Sequence, residues 1–137
     1  MPGFVADASI ALAWCFADEA TPFAAKMLDY ATMGEHVAAP AHWPTEVLNG
    51  VMRAKRHGRV TEPEIQYFLK NLRSFNLSID RGRGLSLLDD IRELADRYNL
   101  TAYDAAYLEL ALRSGLQLAT LDDSLRMAAT IEGVAVV

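Results

Sequence analysis

The stretch 3-GFVADASIALAW-14 changes its period half-way along. Phe4 and Val5 form an apolar run of strand type, and from Ala8 to about Phe16 the apolar residues follow a helical repeat. Asp7 stands at the corner between the two. Aspartate is a good helix N-cap, accepting from backbone N–H groups that have no partner in the first turn. A carboxylate at the end of a buried strand is equally well placed for chemistry. The stretch alone leaves both readings open, and the rest of the chain decides how they are weighed.

The strand-to-helix alternation continues. A helical pattern in 21-TPFAAKMLDYA-31 is followed by a short strand, 36-HVAAP-40, and Pro44 opens a helix, 45-TEVLNGVMRAKRHG-58, which Gly58 can close. In 61-TEPEIQYFLKNLRSF-75, Thr61 and Glu64 have capping-box spacing, and Ile65, Phe68, Leu69 and Leu72 form an apolar stripe. The strand 77-LSID-80, the helices 85-LSLLDDIRELADRY-98 and 101-TAYDAAYLELALRSG-115, the strand 117-QLATL-121, a short helix to about Thr130 and a last strand, 134-VAVV-137, complete the chain. This order predicts an α/β fold of three layers, with a central parallel sheet of about five strands flanked by helices, in a single domain spanning 1–137.

Composition narrows the class. The 137 residues are 52% hydrophobic and 23% charged, which fits an ordinary globular domain. No apolar run approaches the roughly 20 residues of a membrane span, and the N-terminus lacks the pattern of a signal peptide. The single cysteine, Cys15, cannot form an internal disulfide, so a cytoplasmic location is expected. The net charge of −5 opposes a broad phosphate-binding face, although Arg53, Lys55, Arg56 and Arg59 cluster in 53-RAKRHGR-59 and Arg81 and Arg83 lie close together. Such clusters equally suit solvated helix ends.

A parallel sheet gathers its strand C-termini along one edge, where folds of this class bind ligands. Asp7 ends the first strand there, and Glu46 lies in the first turn of the helix after the second strand. Asp104 opens a helix that must run antiparallel to the strand 117–121, which returns its start to the same edge, and Asp122 leaves that strand directly. Each has a structural alternative: Glu46 as a helix-dipole partner, Asp104 in a capping box from Thr101, Asp122 as a cap with Asp123 completing a box from Thr120. Four carboxylates drawn together without a cation repel one another. A hard cation such as Mg²⁺ or Mn²⁺ removes that conflict. His36, His42 and His57 are not at metal-ligand spacing and read as surface or packing residues.

The corners 7-DASIALAW-14, 44-PTEVLN-49, 101-TAYDAAYLELA-111 and 119-ATLDDSLRMAA-129 together resemble the PIN domain, in particular the VapC toxins of bacterial and archaeal toxin–antitoxin pairs. The resemblance runs over nearly the whole chain and rests on the ordered set of four rather than on any one motif. It implies a ribonuclease dependent on Mg²⁺ or Mn²⁺, with Asp7, Glu46, Asp104 and Asp122 as catalytic and metal-binding acids and Ser9, Asn49, Thr120 and Asp123 as polar support. Between Asp122 and Asp123 the match favours the first. It implies RNA products with 5′-phosphate and 3′-hydroxyl ends, and substrate contacts from groups such as Arg53, Arg56, Arg81 or Arg83. Trp14, Trp43 and Tyr103 are candidates for stacking on bases or for core packing.

Two other classes bear on the same residues. A phosphoacceptor receiver domain also has an acidic pocket, but it needs paired acids after the first strand and a late-strand lysine, whereas Asp7 is single and the lysines are Lys26, Lys55 and Lys70. The other is a PIN-like binding or regulatory module with a degenerate metal site, which the presence of all four acids opposes. The helices 45–58 and 62–75 carry Val47, Leu48, Val51, Met52, Phe68, Leu69, Leu72 and Phe75. These either pack the core or, as the resemblance implies, form a homodimer surface and a groove for the C-terminal segment of a VapB-like antitoxin.

Overall fold

A computed structural model describes residues 3–82 and 84–137; Arg83, singled out above, lies outside the described residues. Four strands, β1 (Phe4–Ala6), β2 (Val37–Pro40), β3 (Leu77–Asp80) and β4 (Gln117–Ala119), form one parallel sheet in the order β3-β2-β1-β4. The helices are α1 (Ala8–Cys15), α2 (Pro22–Thr32), α3 (Trp43–Arg56), α4 (Glu62–Ser74), α5 (Leu87–Tyr98), α6 (Ala102–Ser114) and α7 (Asp123–Ile131). The fold is α/β with a central parallel sheet flanked by helices, as the alternation predicts.

The strand count is a correction. The expected fifth strand, 134–137, touches the sheet only through Leu118, whose N–H donates to Ala135 O and whose carbonyl accepts from Val137 N–H; the one parallel bridge is Leu118 to Val136. β4 is three residues long, and beyond Ala119 the chain turns toward α7, so no ladder extends past that bridge.

β1 sits between β2 and β4 and is fully buried on both faces. Its side chains alternate as strand geometry requires. Val5 joins the main core with Trp43, Val47 and Val51 of α3 and Tyr107 and Leu108 of α6, while Phe4 and Ala6 join Met27 and Ala31 of α2 on the other face. Every residue of α6 from Ala105 to Ala111 is buried, as expected of a helix without a solvent stripe in its middle. α1 and α3 approach closely at Gly50, where an added Cβ would lie 2.7 Å from Leu12 Cδ1.

Local signals act as the sequence predicts. Thr61 and Glu64 form a complete capping box on α4, and Thr101 caps α6. Of the apolar residues noted on α3 and α4, Val47, Val51, Phe68 and Leu72 are core, Leu48 is exposed, and Met52, Leu69 and Phe75 are half-buried. Among the described residues no helix is long and apolar enough to cross a membrane.

The winding of the sheet changes side at β1. From β1 the chain passes outward through β2 to β3, and then returns to place β4 on the other flank of β1. At the C-terminal edge this opens a crevice between β1 and β4, the position where open parallel sheets bind ligands. Asp7 follows β1 directly, and Thr120 follows β4.

Candidate active site

Asp7 is the buried centre of this edge. It is 3% exposed, and its extended backbone caps α1 by accepting from Ile10 N–H at 3.1 Å. Capping therefore describes this carboxylate correctly but incompletely. Ser9 Oγ donates to Asp7 Oδ1 at 2.6 Å, and Thr120 Oγ1 donates to Asp7 Oδ2 from the loop after β4. Each hydroxyl also accepts a backbone N–H from that loop, Ser9 from Leu121 at 3.0 Å and Thr120 from Asp122 at 3.0 Å. The two side chains thus latch the end of β1 to the end of β4 through one carboxylate. Burial nevertheless dominates, and with a smaller push from the charge of Asp104 it raises the Asp7 pKa to about 6 against these hydrogen bonds.

Thr120 is fully buried, so replacing it by the similarly shaped valine removes a donor to the carboxylate without opening a hole. Thr120→Val is expected to lower stability at pH 7 by about 2 kcal/mol, the range of a hydrogen bond to a charged group. Urea unfolding of the two proteins measures it.

Glu46 reaches the same edge from the first turn of α3. Tyr107 Oη of α6 donates to its Oε2 at 2.8 Å, and His42 Nε2 stands 3.2 Å from that oxygen, within ion-pair range but not aligned as a hydrogen bond. His42, and then the Tyr107 hydroxyl, hold Glu46 below the usual carboxylate range against its partial burial. The Tyr107 hydroxyl is in turn pushed far up, by burial first and by the charge of Glu46 next, and so remains a donor. Tyr107→Phe is expected to cost about 1 kcal/mol in stability, and to let the Glu46 carboxylate titrate at higher pH by NMR.

Asp104 and Asp122 complete the group. Asp104 follows the Thr101 cap, which accepts its backbone N–H at 3.1 Å. Its carboxyl is raised by burial first, then by the charge of Asp122, then by that of Glu46. Asp122 caps α7 by accepting from Leu125 N–H at 2.9 Å. Asp123 turns outward: its side chain is 94% exposed and pairs at 3.3 Å with Arg126 Nη1. The four acids are therefore electrostatically coupled, Asp122 and Glu46 acting on Asp104 and Asp104 acting on Asp7. Among the described residues no three His, Cys, Asp or Glu side chains already stand as a ligand cluster. The donor set itself, carboxylate oxygens among which the charges of Asp122 and Glu46 raise Asp104 and that of Asp104 raises Asp7, fits a hard divalent cation and lacks the nitrogen or sulfur donors favoured by softer metals.

The other residues singled out by sequence divide by position. Asn49 is exposed one turn after Glu46 along α3. Arg81 is exposed just beyond β3, on the carboxyl edge, whereas Arg53 and Arg56 are exposed in the last turn of α3, roughly 10–15 Å along the helix from Glu46. His42 and Tyr107 were not among the candidate site residues, and His42 is more than a surface or packing group. Its spacing of four from Glu46 was the available signal. Arg126 was also missed; its Nη2 donates to Thr120 O at 2.7 Å and steadies the loop that carries Thr120 and Asp122.

A sequence profile of the PIN domain matches residues 4–130, a span that contains β1, all four acids and α7 as far as Thr130. The chain belongs to the PIN domain family. Among curated PIN relatives, a protein named Ribonuclease VapC3 from Mycobacterium tuberculosis is 38% identical over 90 residues, covering 66% of this chain and 63% of the relative. One of the same name from Pyrobaculum aerophilum is 35% identical over 80 residues, covering 58% of this chain and 61% of the relative. The matches thus span a little under two thirds of these relatives' length. The crystal structure of PAE2754 from Pyrobaculum aerophilum superposes on this PIN domain with a TM-score of 0.72 at 27% identity, covering 97% of this chain and 82% of the other.

Proposed function

We propose that this PIN domain is a metal-dependent endoribonuclease and the toxin of a VapB–VapC pair, acting in the cytoplasm. The observation that carries the reading is the coupling of Asp7, Glu46, Asp104 and Asp122 at the sheet's carboxyl edge, a concentration of like charge that calls for a cation. Membership of the family and relatives named as ribonucleases support it over a receiver-like or purely regulatory acidic pocket. Asp122 rather than Asp123 is the proposed fourth acid, because its charge acts on Asp104 while Asp123 faces solvent.

Asp7, Glu46, Asp104 and Asp122 would hold Mg²⁺ or Mn²⁺. Bound there, such a cation would supply a water of lowered pKa and would offset charge on the scissile phosphate. Within the chain, Ser9 and Thr120 fix both oxygens of Asp7, and His42 and Tyr107 fix Glu46, so the acids are oriented before metal arrives. Ser9 serves this positioning role rather than that of a nucleophile: its oxygen accepts the Leu121 N–H, and its proton goes to Asp7, itself one of the proposed ligands. Arg81, exposed at the same edge, is the proposed phosphate contact nearest the acids, and Arg53 and Arg56, at the far end of α3, would meet phosphates further along the strand.

The homodimer and the antitoxin are part of the same proposal. A groove of about 430 Å³ between α1, α2 and α4, lined by Trp14, Leu28, Tyr67, Phe68 and Phe75, suits the apolar side of an antitoxin segment. Sedimentation of the isolated chain at micromolar concentration tests the dimer, and a clean monomer contradicts it. For the activity, purified protein is incubated with total cellular RNA and Mg²⁺ or Mn²⁺, and the ends are mapped. New 5′-phosphate and 3′-hydroxyl ends that vanish with EDTA are expected; no cleavage at high enzyme excess overturns the nuclease.

A further inference from the structure

Three aromatic residues were candidates for stacking on bases, and they have different fates. Trp43 is 3% exposed and packs in the main core. Trp14 meets Phe75 edge to face, with ring centroids 5.8 Å apart, and its Nε1–H donates to Ala24 O at 2.9 Å, so its ring is committed to packing. Tyr103 is 63% exposed. It precedes Asp104 in the first turn of α6, on the carboxyl edge, whereas the residues from Ala105 to Ala111 are buried. An isolated exposed aromatic needs no explanation on a protein surface. This one is braced. The His42 ring lies between two tyrosines, its centroid 5.3 Å from that of Tyr103 and 5.0 Å from that of Tyr107. His42 is itself held beside Glu46, and Tyr107 is anchored by its hydroxyl to the same carboxylate. The exposed ring is thus tied, through His42, to one acid of the site and is the chain neighbour of another.

We propose that Tyr103 is a substrate-binding residue on which a base of single-stranded RNA stacks, at a nucleotide next to the scissile phosphate. The proposal rests on the ribonuclease reading and deepens it. A strand whose phosphate reaches Asp104 carries its neighbouring bases past the adjacent ring, and every base has a face that can stack on it. The ring needs no partner from the protein's core, so its role in stability is small. His42 limits where the ring can turn, which reduces the ordering needed when a base docks.

Steady-state cleavage of a short single-stranded RNA containing a mapped site tests this with wild type, Tyr103→Phe and Tyr103→Ala. Loss of one stacked base is expected to raise KM about tenfold in Tyr103→Ala, with kcat changed less than about twofold, while Tyr103→Phe stays near wild type. All three should melt at the same temperature. The same RNA made abasic in turn on each side of the scissile bond locates the base: at one position wild type should lose the same factor, and Tyr103→Ala should lose nothing more. If Tyr103→Ala keeps the wild-type KM, or remains weaker than wild type on every abasic substrate, the stacking role is wrong while the nuclease stands. If wild type cleaves none of these RNAs, the nuclease reading itself has failed.

Discussion

Asp104→Asn is expected to lower RNA cleavage in Mg²⁺ by at least about 10²-fold, while the metal-free protein should melt no lower than wild type. Groups that merely orient metal ligands change metal affinity by 10–100-fold when mutated, so a ligand itself should cost no less. The expected absence of a stability loss follows from the local bonding. The Thr101 cap accepts the backbone N–H of residue 104, which asparagine keeps. What the substitution removes is a carboxylate raised by burial and by the charges of Asp122 and Glu46. Cleavage assays paired with thermal melts in EDTA measure both halves. A variant that loses stability in EDTA but cleaves like wild type would show that Asp104 is a structural element of the helix start and no part of the site.

The second large effect is the pH dependence imposed by Asp7. Its folded pKa of about 6 lies above its ordinary 3.8, so between those values the folded protein holds more protons than the unfolded chain, and stability falls as pH rises. The contribution is complete below about pH 4 and is lost as pH passes through about 6. Its size is about 3 kcal/mol at most, from a shift of roughly two units. Asp7→Asn removes this titration while keeping an N-cap. In EDTA, the stability of Asp7→Asn relative to wild type should therefore rise between pH 4 and pH 7 by up to about 3 kcal/mol. Urea unfolding at several pH values gives that difference directly, because the other titrating groups largely cancel between the two proteins. A difference that does not change with pH contradicts a buried Asp7 with a raised pKa. Magnesium should reverse the trend for wild type at pH 7, and leave the variant nearly unmoved.

The sequence carried the backbone frame because local rules and the global fold agree on it. The Thr61–Glu64 box, the Thr101 cap and the strand-to-helix corner at Asp7 all form as their spacing predicts. Topology then accounts for Asp7, Glu46, Asp104 and Asp122 meeting at one edge, since parallel strands leave few other arrangements. The fifth strand failed because an apolar run such as 134-VAVV-137 reports burial, and says nothing of how many residues the neighbouring strand offers for pairing. Bracing contacts were harder to see. Tyr107 and Glu46 are 61 residues apart, and their hydrogen bond depends on where the fold sets the start of α3 relative to α6. Likewise, the apolar residues of α3 and α4 could not be divided by pattern between core and surface: Val51 is fully buried and Leu48 is 45% exposed, though both lie on α3. The choice between Asp122 and Asp123 turns on which carboxylate faces the other acids, which adjacent residues with the same side chain do not reveal.

Whether the four carboxylates form one divalent-cation site is open to direct measurement. The most direct measurement is thermal unfolding at pH 7 during a Mn²⁺ titration, for wild type and for Asp104→Asn. Ligand binding to the folded state alone raises stability by RT ln(1 + [L]/Kd), about 2.7 kcal/mol at a hundredfold excess over Kd. A saturable rise in Tm is expected for wild type, reversed by EDTA, with little or no rise for Asp104→Asn over the same range. A wild-type Tm that Mn²⁺ leaves unmoved, or an equal rise in both proteins, would contradict it.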